Sequence, residues 1–183
     1  MWNIDEIQDV WHLATAHHNG QKYGGPQQDE QIEYINHIGS VVFEIMTAAT
    51  FEKSMNVNLA LKCAILHDTL EDTPLSYDTI LEKFGSEVAD GVLALTKNAN
   101  IKDPGEKMLD SLRRIKERPK EIWVVKMADR ITNLYAPPYY WTNEKKISYL
   151  AEARTILEAL QAGSTYMAAR LAQKIEAYQK FID

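Results

Sequence analysis

The side chains best equipped for chemistry gather at the end of one stretch, Leu59 to Pro74, which reads Leu-Ala-Leu-Lys-Cys-Ala-Ile-Leu-His-Asp-Thr-Leu-Glu-Asp-Thr-Pro. Its first half is apolar enough to be buried, and its end carries His67, Asp68, Glu71 and Asp72 before Pro74 stops the helix. The pattern predicts one helix over 59–74. Residues four apart on a helix lie one above the other, with Cβ atoms about 5–6 Å apart. His67 then stacks with Glu71, and Asp68 with Asp72, each a metal ligand type followed one turn later by a carboxylate.

Two further candidates lie elsewhere. His37, in Tyr34-Ile35-Asn36-His37, reads by itself as a core or boundary histidine. Asp129 sits in the middle of Ile122-Trp123-Val124-Val125-Lys126-Met127-Ala128-Asp129-Arg130-Ile131, a segment apolar on nearly all sides. An ionised carboxylate there costs several kcal/mol unless compensated. The compensation is either an ion pair with Lys126 or Arg130, or a metal. Taken together, His37, His67, Asp68 and Asp129 offer two imidazoles and two carboxylates without a thiol. That set suits Mn²⁺, Fe²⁺ or Mg²⁺, with Zn²⁺ less favoured. Four protein ligands around an octahedral ion leave room for water and substrate, which is the pattern of a catalyst. Adjacent side chains on a helix point about 100° apart, so His67 and Asp68 share one ion only if it lies in the wedge between them and the helix end gives. Glu71 and Asp72 would stand off by a water's width, where a group takes a proton from water or hands one to a leaving oxygen.

These residues need helices to hold them. Ile4, Ile7, Trp11 and Ala14 follow helical spacing over Ile4 to His17. Asn19 to Pro26, with three glycines and a proline, reads as a loop, either a plain connection or a backbone able to approach an anion. A helix is expected from Asp29 to Glu52, then the 59–74 stretch, then a short helix capped by Ser76 or Asp78 and ending at Phe84. Ser86 to Leu95, Glu106 to Arg118, Lys120 to Tyr135, Thr142 to Leu160 and Ser164 to Ile182 complete the set, with Lys97 to Gly105 an irregular loop near a pocket mouth. No alternating run predicts a sheet. The expectation is an all-α bundle of about eight to ten helices forming one domain over 1–183.

Composition narrows the function. A chain of 183 residues can bury about 70% of its unfolded surface in one core. The net charge of −6 and pI near 5.4 argue against nucleic acid or an anionic membrane as partner, since phosphate backbones require a basic surface. A small anionic substrate needs only a few convergent cations. The single Cys63 reads as a core thiol. The start, Met-Trp-Asn-Ile-Asp-Glu, does not resemble a secretory signal, and no run approaches the roughly 20 apolar residues that span a bilayer. A cytoplasmic protein is expected, with its oligomeric state open.

Four blocks stand in a familiar order: Ala16-His17-His18-Asn19-Gly20-Gln21-Lys22-Tyr23, Tyr34-Ile35-Asn36-His37, Ala64-Ile65-Leu66-His67-Asp68-Thr69-Leu70-Glu71-Asp72-Thr73 and Val125-Lys126-Met127-Ala128-Asp129-Arg130-Ile131-Thr132-Asn133-Leu134. The chain thereby resembles the HD-domain metal-dependent phosphohydrolases, specifically the RelA/SpoT-type branch with its small stand-alone alarmone hydrolases. The resemblance implies a single ion, usually manganese, held by His37, His67, Asp68 and Asp129, with Glu71 and Asp72 positioning and activating the water. It points to Lys22, Lys126, Arg130, Asn133, Lys145 and Tyr149 as substrate contacts: Asn133 to sugar or phosphate, Tyr149 along the nucleotide, and Lys145 where the family often has a phosphate-binding Arg. The implied reaction removes the 3′-pyrophosphate from ppGpp or pppGpp. The chain departs from the pattern at Lys22-Tyr23-Gly24, where the family has Arg-Lys, at an inserted Pro26 to Gln31, and at Ile38, where Pro is common. Rival readings are a phosphatase for a nucleoside monophosphate or NADPH, and a sensor that binds a nucleotide without turnover.

Overall fold

A computed structural model describes residues 2–182. The fold is all-α, as expected: nine longer helices, a single-turn helix and two short 3-10 turns, with one small hairpin, among the described residues. Helix α1 (Ile4–His17) starts at Asn3, whose side chain accepts from the Asp5 amide. A hairpin of β1 (Lys22–Gly24) and β2 (Gln31–Glu33) follows, antiparallel, with Tyr23 opposite Ile32.

That hairpin corrects two expectations. The segment 19–26 is part loop and part strand, and the helix expected from Asp29 begins only at α2 (Ile35–Phe51). Asp29 itself takes a left-handed φ of 61°, which reverses the chain and is incompatible with a helix start. Three-residue strands are too short to show an alternating pattern.

A third correction falls on the central stretch. Helix α3 (Val57–Leu66) and the single turn α4 (Thr69–Asp72) are separated at His67 and Asp68. Side chains take the carbonyls that a continuing helix would use: His67 Nδ1 lies 2.7 Å from the Ala64 oxygen, and Thr69 Oγ1 donates to the Leu66 oxygen at 2.7 Å. The Glu71 and Asp72 amides both bond the Asp68 carbonyl, at 3.2 and 2.9 Å, so the helical turn restarts at Asp68. The break provides the give that lets His67 and Asp68 face one point.

The remaining helices are α5 (Tyr77–Phe84), α6 (Ser86–Leu95), α7 (Pro104–Lys116), α8 (Lys120–Asn133), α9 (Asn143–Leu160) and α10 (Thr165–Tyr178). Ser76, Asp103, Thr142 and Ser164 cap α5, α7, α9 and α10. Gly85, at φ 84°, supplies the left-handed turn between α5 and α6. Helix α7 begins two residues earlier than expected because Asp103 caps it and Pro104 fits its first turn.

Helix α3 lies at the centre, against α1, α2, α6 and α8. Leu59 to Leu66 is buried at every position but Lys62, and Cys63 is wholly enclosed, so burial pushes its thiol up. Helices α2, α3 and α8 pack mutually, which brings residues 37, 67 and 129 to one place. The α6 contact is closest at Gly91, where an added Cβ would meet Ile122 Cδ1 at 2.6 Å and Cys63 Sγ at 2.9 Å. Gly91→Ala is expected to destabilise the fold by about 1–3 kcal/mol, since overpacking a filled core forces side chains off their rotamers. A lowered urea midpoint at constant slope is the measurement. No helix of the described residues is long and apolar enough to cross a membrane.

Candidate metal centre

The centre is built where the end of α3, the first turn of α2 and the last turns of α8 meet. Side-chain donor atoms of His37, His67 and Asp129 all lie within 4.8 Å of one another, and all three residues are buried. The two Nε2 atoms of His37 and His67 are 3.2 Å apart. Asp129 Oδ1 lies 3.5 Å from the first and 3.9 Å from the second. Asp68 Oδ2 joins them, 3.0 Å from His67 Nε2 and 3.7 Å from His37 Nε2. All four expected ligand residues are thus brought together.

The opposite ring nitrogens are engaged elsewhere. His67 Nδ1 faces the Ala64 carbonyl, which can only accept. His37 Nδ1 is 3.3 Å from Thr132 Oγ1, whose own proton goes to the Asp129 carbonyl. Each Nδ1 therefore carries a hydrogen, so that whenever a ring is neutral its Nε2 turns a lone pair inward. Two lone pairs at 3.2 Å beside two carboxylates repel one another unless a cation sits among them. Donors about 2.1 Å from a common ion are themselves about 3–4 Å apart, and the four groups fit that spacing and chemistry.

Charge inside the cluster tells the same story. Burial opposes ionisation of both acids, yet His67 beside Asp68 and Lys126 beside Asp129 hold the two carboxyls well below the usual range. Burial alone would lower His67, but the charge and hydrogen bond of Asp68, with Asp129 behind, push it up to about 9. Burial and the neighbouring His67 push His37 down. Without a metal, one proton on His67 does the work of the cation.

Asp129 is compensated by more than the histidines. Lys126 Nζ donates to its Oδ2 at 2.9 Å and Asn133 Nδ2 to its Oδ1 at 2.7 Å. The ion pair with Lys126 and the approach to the histidines coexist, because they use different oxygens.

Glu71 and Asp72 flank the cluster on α4. Glu71 accepts from Lys97 twice, from Nζ at 3.0 Å and from the backbone amide at 3.1 Å. Burial and the charges of Asp68 and Glu71 push the Asp72 carboxyl up. Tyr34 bridges the two functional layers: its hydroxyl donates to Asp68 Oδ2 and lies 3.4 Å from Asp72 Oδ2. Its ring stacks on His18 at 4.9 Å. His18 Nδ1 in turn bonds Gln21 Oε1 at 2.7 Å, and Gln21 Nε2 donates to the Asp72 carbonyl at 2.7 Å. Removing the bridge by Tyr34→Phe is expected to weaken metal affinity about tenfold, the lower end of what an outer-shell partner contributes. Calorimetric titration with Mn²⁺ reads this out.

Tyr34, Thr132 and Lys97 were not singled out from the sequence as site residues. The first two sit inside blocks already noted, three residues from a ligand candidate on either side. Lys97 carried no signal beyond its place in a loop at the pocket mouth.

A cavity of about 800 Å³ opens over the cluster. Lys126, Arg130, Asn133, Lys145 and Tyr149 line it, together with Tyr23, Tyr34, Tyr135, Tyr140 and Trp141. Arg130 is turned inward, bonding Glu152 at 3.1 Å and lying 3.9 Å over the Tyr149 ring. Lys145 stands 5.6 Å over Trp141. Lys22 is the exception and corrects the expectation. It does not line the cavity but pairs with Glu33 at 2.9 Å, because the hairpin register sets those two residues opposite each other. The next residues do reach the cavity: the Gly25 carbonyl accepts from the Tyr139 amide at 3.2 Å, and Gly24 leaves the space that Tyr140 fills.

No protein-family model matches the chain. Among curated proteins it is 25% identical over 170 residues to the guanosine-3′,5′-bis(diphosphate) 3′-pyrophosphohydrolase MESH1 of Drosophila melanogaster, covering 91% of this chain and 90% of that one. It is 28% identical over 164 residues to MESH1 of Homo sapiens, covering 85% of each. It is 33% identical over 137 residues to the guanosine-3′,5′-bis(diphosphate) 3′-pyrophosphohydrolase of Aquifex aeolicus, covering 72% of this chain but 18% of that much longer protein. Among solved structures, that of a metazoan ortholog of SpoT that hydrolyses ppGpp superposes with a TM-score of 0.81 at 22% identity over 97% of both chains. The chain has the fold of that SpoT ortholog and, over most of its length, resembles the small guanosine-3′,5′-bis(diphosphate) 3′-pyrophosphohydrolases.

Proposed function

We propose that the chain is a metal-dependent phosphohydrolase that removes the 3′-pyrophosphate of ppGpp, releasing GDP and pyrophosphate. The observation that carries this reading is the convergence of His37, His67, Asp68 and Asp129 beneath Glu71 and Asp72, in a cavity walled by aromatic rings and cations. The named relatives, which are guanosine-3′,5′-bis(diphosphate) 3′-pyrophosphohydrolases, support the substrate. A divalent ion held by the four donors, Mn²⁺ by the nitrogen and oxygen composition, would supply Lewis-acid charge and an acidified water. The remaining work falls to the chain itself. Glu71 or Asp72 takes the proton as water attacks the phosphorus next to the sugar, and hands it to the 3′ oxygen as that oxygen's bond to phosphorus breaks. Asn133 contacts sugar or phosphate, Tyr149 lies along the nucleotide, and Lys145 meets a phosphate.

Five carboxylates and four Lys or Arg residues line the cavity. With His67 carrying the proton that its acidic neighbours favour, positive and negative side chains balance, and a bound divalent cation would tip the cavity toward a polyanion. We place the enzyme in the cytoplasm as a single-domain protein.

Incubating the purified protein with Mn²⁺ and ppGpp tests the proposal, and pyrophosphate together with GDP is the expected product pair. A second reading, phosphatase action on another nucleotide, draws support from the Gly24–Tyr140 contact, which makes that end of the cavity aromatic rather than cationic. Orthophosphate from a nucleoside monophosphate or NADPH, with no pyrophosphate from ppGpp, would establish it. Saturable binding without turnover would point to a sensor.

A further inference from the structure

Four cations line the cavity, and their partners differ. Lys126 is buried and held by Asp129, and Arg130 is buried and held by Glu152. Moving Lys126 would leave the buried Asp129 carboxylate short of a counter-charge, and moving Arg130 would separate a buried guanidinium from Glu152 and from the Tyr149 ring. Lys145 has no carboxylate partner among the described residues and stands at the far aromatic wall over Trp141. Lys97 alone combines closeness to the reacting groups with freedom to move. Its side chain is 45% exposed, it follows α6 in irregular chain, and Asp129 and Asp68 as well as Glu71 act on its charge.

The pairing with Glu71 is divided. The ammonium binds Oε1, whereas the Lys97 backbone amide binds Oε2. A swing of the side chain would therefore free one oxygen while the main chain still orients the carboxylate through the other.

We propose that Lys97 is the receptor for the pyrophosphate group that is transferred to water: before substrate binds it masks Glu71, and on substrate binding its ammonium transfers to a phosphate oxygen, exposing Glu71 Oε1 to the attacking water. This rests on the phosphohydrolase reading given above. The exchange is chemically even, one anion replacing another on the ammonium. It couples the readiness of the proton acceptor to the presence of substrate, so that water is not activated in an empty site. In the reaction, the water oxygen forms a bond to the phosphorus next to the sugar and its proton passes to Glu71 Oε1; the bond from that phosphorus to the 3′ oxygen breaks, the 3′ oxygen keeps the electron pair and takes up that proton, and Lys97 holds the charge of the pyrophosphate so formed.

Pyrophosphate itself is the probe, because its binding needs no turnover. Equilibrium dialysis of labelled pyrophosphate against the Mn²⁺-loaded protein gives the affinity. Glu71→Gln, which leaves Lys97 without a charged partner, should bind pyrophosphate about three- to tenfold more tightly than wild type, and Lys97→Met about tenfold or more weakly, as loss of a charge-assisted contact implies. Lys97→Met also strips the neutralising partner from Glu71, so the double variant decides. If Lys97 holds the phosphate, Lys97→Met in the Glu71→Gln background still weakens binding about tenfold. If Lys97 only neutralises Glu71, the double variant binds as tightly as Glu71→Gln, and the proposal is overturned. Lys97→Arg should restore most of the affinity, and thermal melts identify any variant that has failed to fold. Wild-type turnover of ppGpp, assayed separately, tests the underlying reading: its absence with the binding pattern intact would remove the substrate and keep the Lys97 site.

Discussion

Asp129→Ala should yield a protein that carries no metal after purification and hydrolyses no nucleotide. The residue presents Oδ1 to both imidazoles while Oδ2 is fixed by Lys126 and Oδ1 by Asn133, so on the proposed reading it would be a donor with its geometry locked from behind. Loss of an outer-shell partner alone costs about 10–100-fold in metal affinity, and loss of a donor must exceed that. Removal of the carboxylate also leaves the Lys126 ammonium buried without a counter-charge and His67 without one of the acids that raise it. Breaking such a buried pair costs about 3–5 kcal/mol, so the variant should melt well below wild type. Asp129→Asn separates the two effects, because it keeps the shape and removes the charge that a divalent ion requires. Elemental analysis and melting curves on the same samples provide the check. Full metal occupancy in Asp129→Asn would remove Asp129 from the ligand set.

Glu71→Gln and Asp72→Asn should behave in the opposite way, holding metal at wild-type stoichiometry while losing turnover by about 10²–10⁴-fold, the range of a positioned proton acceptor. The reasoning is positional. Both carboxylates belong to α4, beyond the break that aims His67 and Asp68 at the centre, and their recorded partners are Lys97 and Tyr34 rather than the imidazoles. Neither substitution removes a donor or opens a cavity in the core. The loss should appear in kcat, since the groups act on the water, with KM unchanged in Asp72→Asn and lowered in Glu71→Gln as Lys97 is released to the phosphate. Near-normal kcat in both variants would transfer the proton chemistry to another group and leave α4 a purely structural turn.

Much of this protein could be read along the chain. The limits of α1, α5, α6, α8 and α9 fall within two residues of the apolar periodicity and caps that announce them, because a helix is a local structure whose signals lie inside it. Three of the four donors stand out for a related reason: His67, Asp68 and Asp129 interrupt apolar segments where an ionisable group is costly without a purpose, whereas His37 joins them through the family resemblance.

What the chain could not tell by itself depended on contacts between distant residues. The break between α3 and α4 arises from side chains competing for carbonyls at a helix end, which propensity alone does not register. The hairpin depends on Asp29 in a left-handed turn, and its register sends Lys22 to Glu33 and away from the cavity. Lys97 and Glu71, 26 positions apart, meet only because the end of α6 comes to lie beside α4. Residue types and local periodicity thus determined most of the helices and which side chains could hold a metal, whereas packing alone decided which charges are spent on one another and which are left unpaired, since an ion pair is a fact of distance in space.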